Sequence, residues 1–311
     1  MLVIVNPTAA AGRAKERWTS IRPEVEQRIG PFDECVAPDV FAVRACVLRA
    51  LERGERRFVA AGGDGTVNLV VALLMELAAP DARPELIVGA IGLGSSNDFH
   101  KPIRPAAVIG RFPCRLDFER PVQHDVGCTQ YVDEHEVAHL KRWVINASVG
   151  TTARGNWLYN EAHGLVGMAK RCSETLGMIA AAIGALLRPA RDVMTVTAED
   201  GSVELIRVCN LGVVKNPHFT GCLYYDSPYD PDSGDFFVHL LVHSSPWRTL
   251  VTLARLARGK FVGRPGTRSW RSRWLALEAP HPFPVEGDGE IVWARRVVFL
   301  LEPRALQVCL P

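Results

Sequence analysis

The sequence predicts a doubly wound α/β domain at the N-terminus and a mainly antiparallel β-sandwich domain after it. Over roughly the first 120 residues, short β-branched apolar runs alternate with stretches of helical period. Such alternation builds a parallel sheet with crossover helices on its faces. Beyond that point strand-like runs succeed one another with turn residues between them, the antiparallel pattern. A chain of 311 residues accommodates two domains of roughly 100–200 residues each. Residues 1–120 are assigned to the first and 121–302 to the second, with residues 303–311 left open to return to the first.

Each element has a local reason. Leu2 to Val5 is a β-branched apolar run stopped by Asn6-Pro7, which suits a buried strand. A helical stretch follows through "RAKERWTSIRPEVEQRI". A second helix, "DVFAVRACVLRALERG", places Phe41, Ala45, Leu48 and Leu51 at helical spacing and stops at Gly54. "RRFVAA" then reads as a strand, "TVNLVVALLMELA" as a helix beginning near Thr66, and "LIVGAI" as a strand. In the second domain "KRWVINASVG", "VMTVTAED", "VELIRVCNLGVV", "DFFVHLLVH", "WLALEA" and "RRVVFLLE" read as strands, with helices near 160–188 and 246–258.

Composition narrows the class. A hydrophobic content of 48% with 23% charged residues is that of a soluble globular chain. A net charge of +2 exerts no global pull on nucleic acid, so electrostatic arguments must be local. The eight cysteines are scattered and form no Cys-x-x-Cys pair, so buried thiols are expected rather than a zinc site. The opening apolar run is too short for a signal peptide. The longest one, Thr175 to Leu187, falls short of a bilayer span. A cytoplasmic protein is expected.

The chemistry begins at "FVAAGGDGTVN", residues 58–68, where a strand runs into Gly62, Gly63, Asp64, Gly65 and Thr66. Glycines let backbone N–H groups approach a ligand, and a helix N-terminus favours phosphate oxygens. Asp64 would repel bare phosphate but suits Mg²⁺, which pairs one or two carboxylates with substrate phosphates. An ordinary turn with an aspartate N-cap is the equal alternative for this stretch alone. Two further loops follow strands: "NPTAAAGRAK", with Asn6, Thr8, Gly12 and Arg13, and "IGLGSSNDF", with Ser95, Asn97 and Asp98. Ligands of α/β sheets collect at the carboxyl ends of strands, so three such loops can face one crevice. Near the C-terminus, "VEGDGEIV" places Asp288 and Glu290 around a glycine, where a plain hairpin turn is the alternative.

In this order, the segments resemble the diacylglycerol kinase catalytic family, which includes bacterial lipid kinases and sphingosine kinases and shares its first-domain motif with NAD kinases. "WVINASVG" and the Asp-bearing stretch from Asn210 to Leu240 extend the resemblance. It implies a Rossmann-like ATP-binding domain and a sandwich that carries the lipid pocket and returns the catalytic acid. By that carry-over Asp288 is the general base. Glu290 is a second catalytic acid that joins Asp64 and Asp98 around Mg²⁺. Asn6, Thr8, Gly12, Arg13, Gly62, Gly63, Asp64, Gly65, Thr66, Ser95 and Asn97 line the nucleotide. The family often reads Asp-Asp-Gly where this chain has Asp232-Ser233-Gly234, so a structural cation on Asp226 and Asp232 stands beside a solvated turn as an alternative.

The implied reaction is Mg²⁺-dependent transfer of the ATP γ-phosphate to a hydroxyl of an apolar acceptor, with diacylglycerol as the default. The alternatives are an NAD kinase-like enzyme, or a catalytically silent lipid- or nucleotide-binding protein of the same fold. Arg248 to Arg273 carries eight basic residues, no acid, and Trp270 beside Trp274 just beyond it. An anionic membrane surface is the expected partner of that run, with peripheral membrane association; nucleic acid is not. The sequence leaves an oligomer open.

Overall fold

The computed structural model describes residues 1–133, 135–161, 164–172, 174–187, 193–242 and 245–311. Parts of the helical stretch expected near 160–188 and the last residue of the strand expected at 235–243 fall outside the described residues.

The N-terminal part contains β1 (Leu2–Val5), α1 (Ala14–Ile29), β2 (Asp33–Val36), α2 (Val40–Glu52), β3 (Arg57–Gly62), α3 (Asp64–Leu77) and β4 (Ile87–Gly92). The four strands lie parallel in the order β2-β1-β3-β4. The strands β1, β3 and β4 are short, apolar and nearly all buried, as strands covered on both faces must be. One face packs Ile4, Phe58, Ala60 and Val88 against Val47 of α2 and Val70 and Leu74 of α3. The other packs Val3, Val59 and Ile91 against Trp18 and Ile21 of α1. A short hairpin, β5 (Ala107–Ile109) and β6 (Phe112–Arg115), adds antiparallel to β4.

The remainder is mainly antiparallel. It comprises β7 (Asp117–Val132), β8 (Ala138–Trp143), β9 (Asn146–Gly150), α4 (Thr151–Glu161), α5 (Gly164–Cys172), α6 (Glu174–Leu187), β10 (Val193–Ala198) and β11 (Val203–Val214). The elements β12 (His218–Phe219), β13 (Leu223–Tyr224), β14 (Phe236–Val242), α7 (Pro246–Leu256), β15 (Thr267–Ser272), β16 (Trp274–Gly287) and β17 (Glu290–Leu310) complete it. One half of β11 pairs with β10 and the other with β9, and β16 pairs with both as well. The sandwich walls therefore share strands around a core of Trp143, Val149, Leu211, Phe236, Phe283 and Phe299.

Two strands differ from expectation. "KRWVINASVG" is not one strand but the end of β8 and all of β9, broken at Val144-Ile145. β17 is far longer than "RRVVFLLE". It pairs antiparallel with β16 and β7, then runs parallel to β4 through Gln307 and Val308. No helix among the described residues is long and apolar enough to cross a membrane. No disulfide links the described cysteines.

Candidate active site

Because β1, β3 and β4 are parallel, the loops after them meet at one edge. Asn6 follows β1; its N–H donates to Ala61 O at 3.0 Å and its amide to Thr66 Oγ1 at 3.3 Å. Its Oδ1 accepts from the N–H and hydroxyl of Thr8, at 3.0 and 2.7 Å. The loop then turns left-handed at Ala10, Ala11 and Gly12, and Arg13 folds back onto Ala10 O at 3.1 Å. After β4, Leu93 N donates to Gly62 O at 2.7 Å, which clamps the third loop to the second. A Cβ on Gly94 would lie 2.4 Å from the Gly63 Cα, so only glycine permits this approach. Asn97, itself left-handed, fixes the loop by donating to Gly92 O and Gly94 O and accepting from Gly94 N.

The helix α3 begins at Asp64, two residues before the expected start. Its N-cap is Gly63, and no side chain caps it, which leaves its first turn open to an anion. Asp64 is therefore no N-cap. Its two oxygens accept from Asp98 N at 3.0 Å and Phe99 N at 2.9 Å, which brings two acids of distant sequence side by side. Burial, and then the Asp98 charge, push the Asp64 carboxyl up to about 6 against the pull of those N–H groups and of Lys101. Asp98 is buried and accepts from Lys101 Nζ at 2.6 Å and Gly221 N at 3.0 Å. Two carboxylates facing one ammonium leave one negative charge uncompensated. A hydrated divalent cation suits that remainder, since Mg²⁺ keeps several waters and needs only one or two carboxylates.

Asp288 occupies a left-handed turn between β16 and β17. Its carboxyl accepts from Val144 N at 2.6 Å and from Ile145 N and Asn146 N, each at 3.0 Å, clasping the break between β8 and β9. Burial drives this carboxyl up to about 7, with help from nearby Glu286 and against the pull of the three N–H groups. Glu286 is buried, and accepts from Ser148 Oγ at 2.6 Å and Gly289 N at 2.7 Å. Burial raises its carboxyl as well. A continuous path joins Asp288 to the pair in the first domain. Asn216 N donates to Ile145 O at 3.0 Å, and the Asn216 amide donates to Asp98 O at 2.9 Å.

The structure does not bring all the expected residues together. Glu290 stands at the surface in an ion pair with Lys141 at 2.6 Å rather than beside Asp64 and Asp98. In the Asp-bearing stretch, Asp226 accepts from Phe261 N and Val262 N, and Asp232 lies beside Arg304 at 4.0 Å. Arg271 joins Asp230 and Asp235. These acids are apportioned among backbone and guanidinium groups and share no common point, and no cluster of three metal-ligating side chains occurs among the described residues. The buried cation of this region belongs to the chain: Lys215 Nζ contacts Asp125 at 2.8 Å, Ser233 Oγ at 3.1 Å and Asp235 O at 2.8 Å.

Sequence reading missed Lys101, Asn216, Glu286 and the Asp125–Lys215 pair. Glu286 had a signal, an acid two residues before Asp288 at the same strand end. The others lie in segments whose pairing only the tertiary fold reveals. An open groove of about 440 Å³ lined by Ser96, Asn97, His100, Lys101 and Arg104 extends the loop cluster.

Known proteins resemble this chain in its first domain and in its fold. Residues 1–110 match the model of the diacylglycerol kinase catalytic domain. A curated relative from Chromohalobacter salexigens, named "Probable lipid kinase YegS-like", is 42% identical over 86 residues, 25% of this chain. The match spans only 26% of that relative's length. A solved diacylglycerol kinase structure from Bacillus anthracis str. Sterne superposes with a TM-score of 0.69 at 13% identity, covering 100% of this chain and 96% of its own. A second structure from that organism, described as "a putative diacylglycerol kinase", gives 0.70 at 14% with the same coverage. At such identities the likeness shows the fold. Residues 1–110 of this chain thus resemble the diacylglycerol kinase catalytic domain, and the whole chain has the fold of these solved relatives.

Proposed function

We propose that the protein is an ATP- and Mg²⁺-dependent lipid kinase that transfers the γ-phosphate to a hydroxyl of an apolar acceptor such as diacylglycerol. The observation that carries this reading is the meeting of half-buried Asp64 and buried Asp98 with three glycine-bearing strand ends and an uncapped helix N-terminus. Phosphoryl transfer mostly requires alignment, charge neutralisation and one group to take the hydroxyl proton. Backbone N–H groups at Gly63 to Gly65 and the loops at Asn6–Gly12 and Gly94–Asn97 would align the triphosphate. Asp64 and Asp98 would hold Mg²⁺, which when bound neutralises charge on the phosphate oxygens. Asp288 would take the acceptor proton, since a carboxyl raised to about 7 is matched to a base working near neutral pH. Glu290, at the surface beside Lys141, is left out of the proposed metal set.

Calorimetric titration with ATP tests the nucleotide part directly. ATP is expected to bind at least about tenfold more tightly with Mg²⁺ than without it. Asp64→Asn should erase that difference while leaving metal-free binding intact. Equal affinity with and without Mg²⁺ in the wild type would contradict the assignment of the acid pair.

A further inference from the structure

The helix α7 is amphipathic the wrong way round for a helix that only covers a core. Thr249, Thr252 and Leu256 face inward, whereas Trp247 is 71% exposed and Leu250 46%. Val251 and Ala254 continue the outward stripe at spacings of three and four residues, the spacing of one helix face. The threonines tolerate burial because each hydroxyl donates to its own backbone, Thr249 to Ser245 O at 3.2 Å and Thr252 to Arg248 O at 2.9 Å. Val262, also exposed, extends the apolar surface beyond the helix.

The basic run divides in two here. Arg268, Arg271 and Arg273, on or beside β15, are compensated by Glu204, by Asp230 with Asp235, and by Glu199. Trp270 packs against the sandwich core. In contrast Arg248, Arg255, Arg258, Lys260 and Arg264 have no ion pair among the described residues. All five lie on α7 or just after it. An exposed Trp-Leu stripe rimmed by uncompensated cations is complementary to a surface that is apolar inside and anionic outside.

We infer that α7 is an interfacial docking helix that seats the protein on an anionic lipid surface through Trp247, Leu250 and Val251, with Arg248, Arg255, Arg258, Lys260 and Arg264 at the headgroups. This deepens the proposed function and rests on its lipid acceptor. The helix is also joined to the candidate centre. Asp226 holds the turn after α7, Tyr224 of β13 packs against Gly259, and Gly221 of the same hairpin donates to Asp98.

The test is sedimentation of the full chain with vesicles of phosphatidylcholine, with and without phosphatidylglycerol, at low and high salt. The wild type is expected to pellet with anionic vesicles at low salt and to be released by high salt. The double variants Trp247→Ser with Leu250→Ser, and Arg255→Glu with Arg258→Glu, should each weaken retention by about tenfold or more, with unchanged thermal unfolding. The Trp247→Ser pair should still match wild-type turnover on a short-chain acceptor in detergent micelles. Wild-type protein that stays in the supernatant overturns the inference, as do variants retained like wild type. A concentration-dependent dimer abolished by Trp247→Ser overturns it too, because a second copy would then cover the face. Vesicle retention without any phosphorylated lipid leaves α7 docking intact and removes the kinase reading. Turnover in micelles without vesicle retention does the reverse.

Discussion

Asp64 and Asp288 are perturbed in the same direction. Asp64 is raised by burial and a like charge, and Asp288 by burial despite three N–H donors. Both bind protons more tightly when folded than the ordinary carboxyl does when unfolded. Stability contributed by their protonated forms is therefore present at low pH and lost as pH rises from about 4 through about 6 for Asp64 and about 7 for Asp288. Activity, on the proposed reading, should run the other way, because the base must be ionised. Turnover should climb with pH through an apparent pKa near 7 and reach a plateau above it. A flat profile between about pH 5 and about pH 8 would detach Asp288 from the proton transfer. A different residue tests the fold. Lys215 and Asp125 are 2% and 0% exposed, and Lys215→Met would strand a buried carboxylate. A loss of about 3–5 kcal/mol in urea unfolding is expected. At this scale the glycine contexts of Asp64, Asn97, Asp98 and Asp288 announced turns, and the structure places all four at element starts or in left-handed turns. It could not reveal that Glu290 faces Lys141, because that depends on the pairing of β8, β7 and β17.

Among the elements, the most legible were those with an unmixed signal. The strands β1, β3 and β4 are continuous apolar runs, and the structure places them side by side and buried. The strand β7 was invisible for a physical reason. "DFERPVQHDVGCTQYV" holds a proline, a glycine and several charges, so no intrinsic preference marks it, and its conformation comes from pairing with β17 and β8. The break between β8 and β9 was equally hidden, since its cause is the Asp288 carboxyl reaching across from the other end of the domain. The contact of Gly63 with Gly94 makes a sharp prediction about the loops. Gly94→Ala forces two backbones apart and should cost about 1–3 kcal/mol in thermal or urea unfolding. It should also raise the KM for ATP more than it lowers kcat.

The whole molecule is held together by β17, which starts beside Asp288, pairs with β16 and β7, and ends against β4. Leu306, Val308 and Cys309 are buried there, with Leu306 and Val308 in the core beneath β4. Removing residues 304–311 would open that core and is expected to yield protein that unfolds at markedly lower temperature in a calorimetric scan. On the proposed reading, the same architecture would make the chemistry a property of the whole chain. Asp64 and Asp98 come from one end of the sequence and Asp288 from the other, joined through Ile145 and Asn216. The most direct test is transfer of labelled phosphate from γ-labelled ATP to a panel of extracted lipids. The account predicts Mg²⁺-dependent label on a lipid hydroxyl, lost in both Asp64→Asn and Asp288→Asn variants that remain folded. Label transfer that persists in either folded variant, or none to any lipid from the wild type, would contradict it.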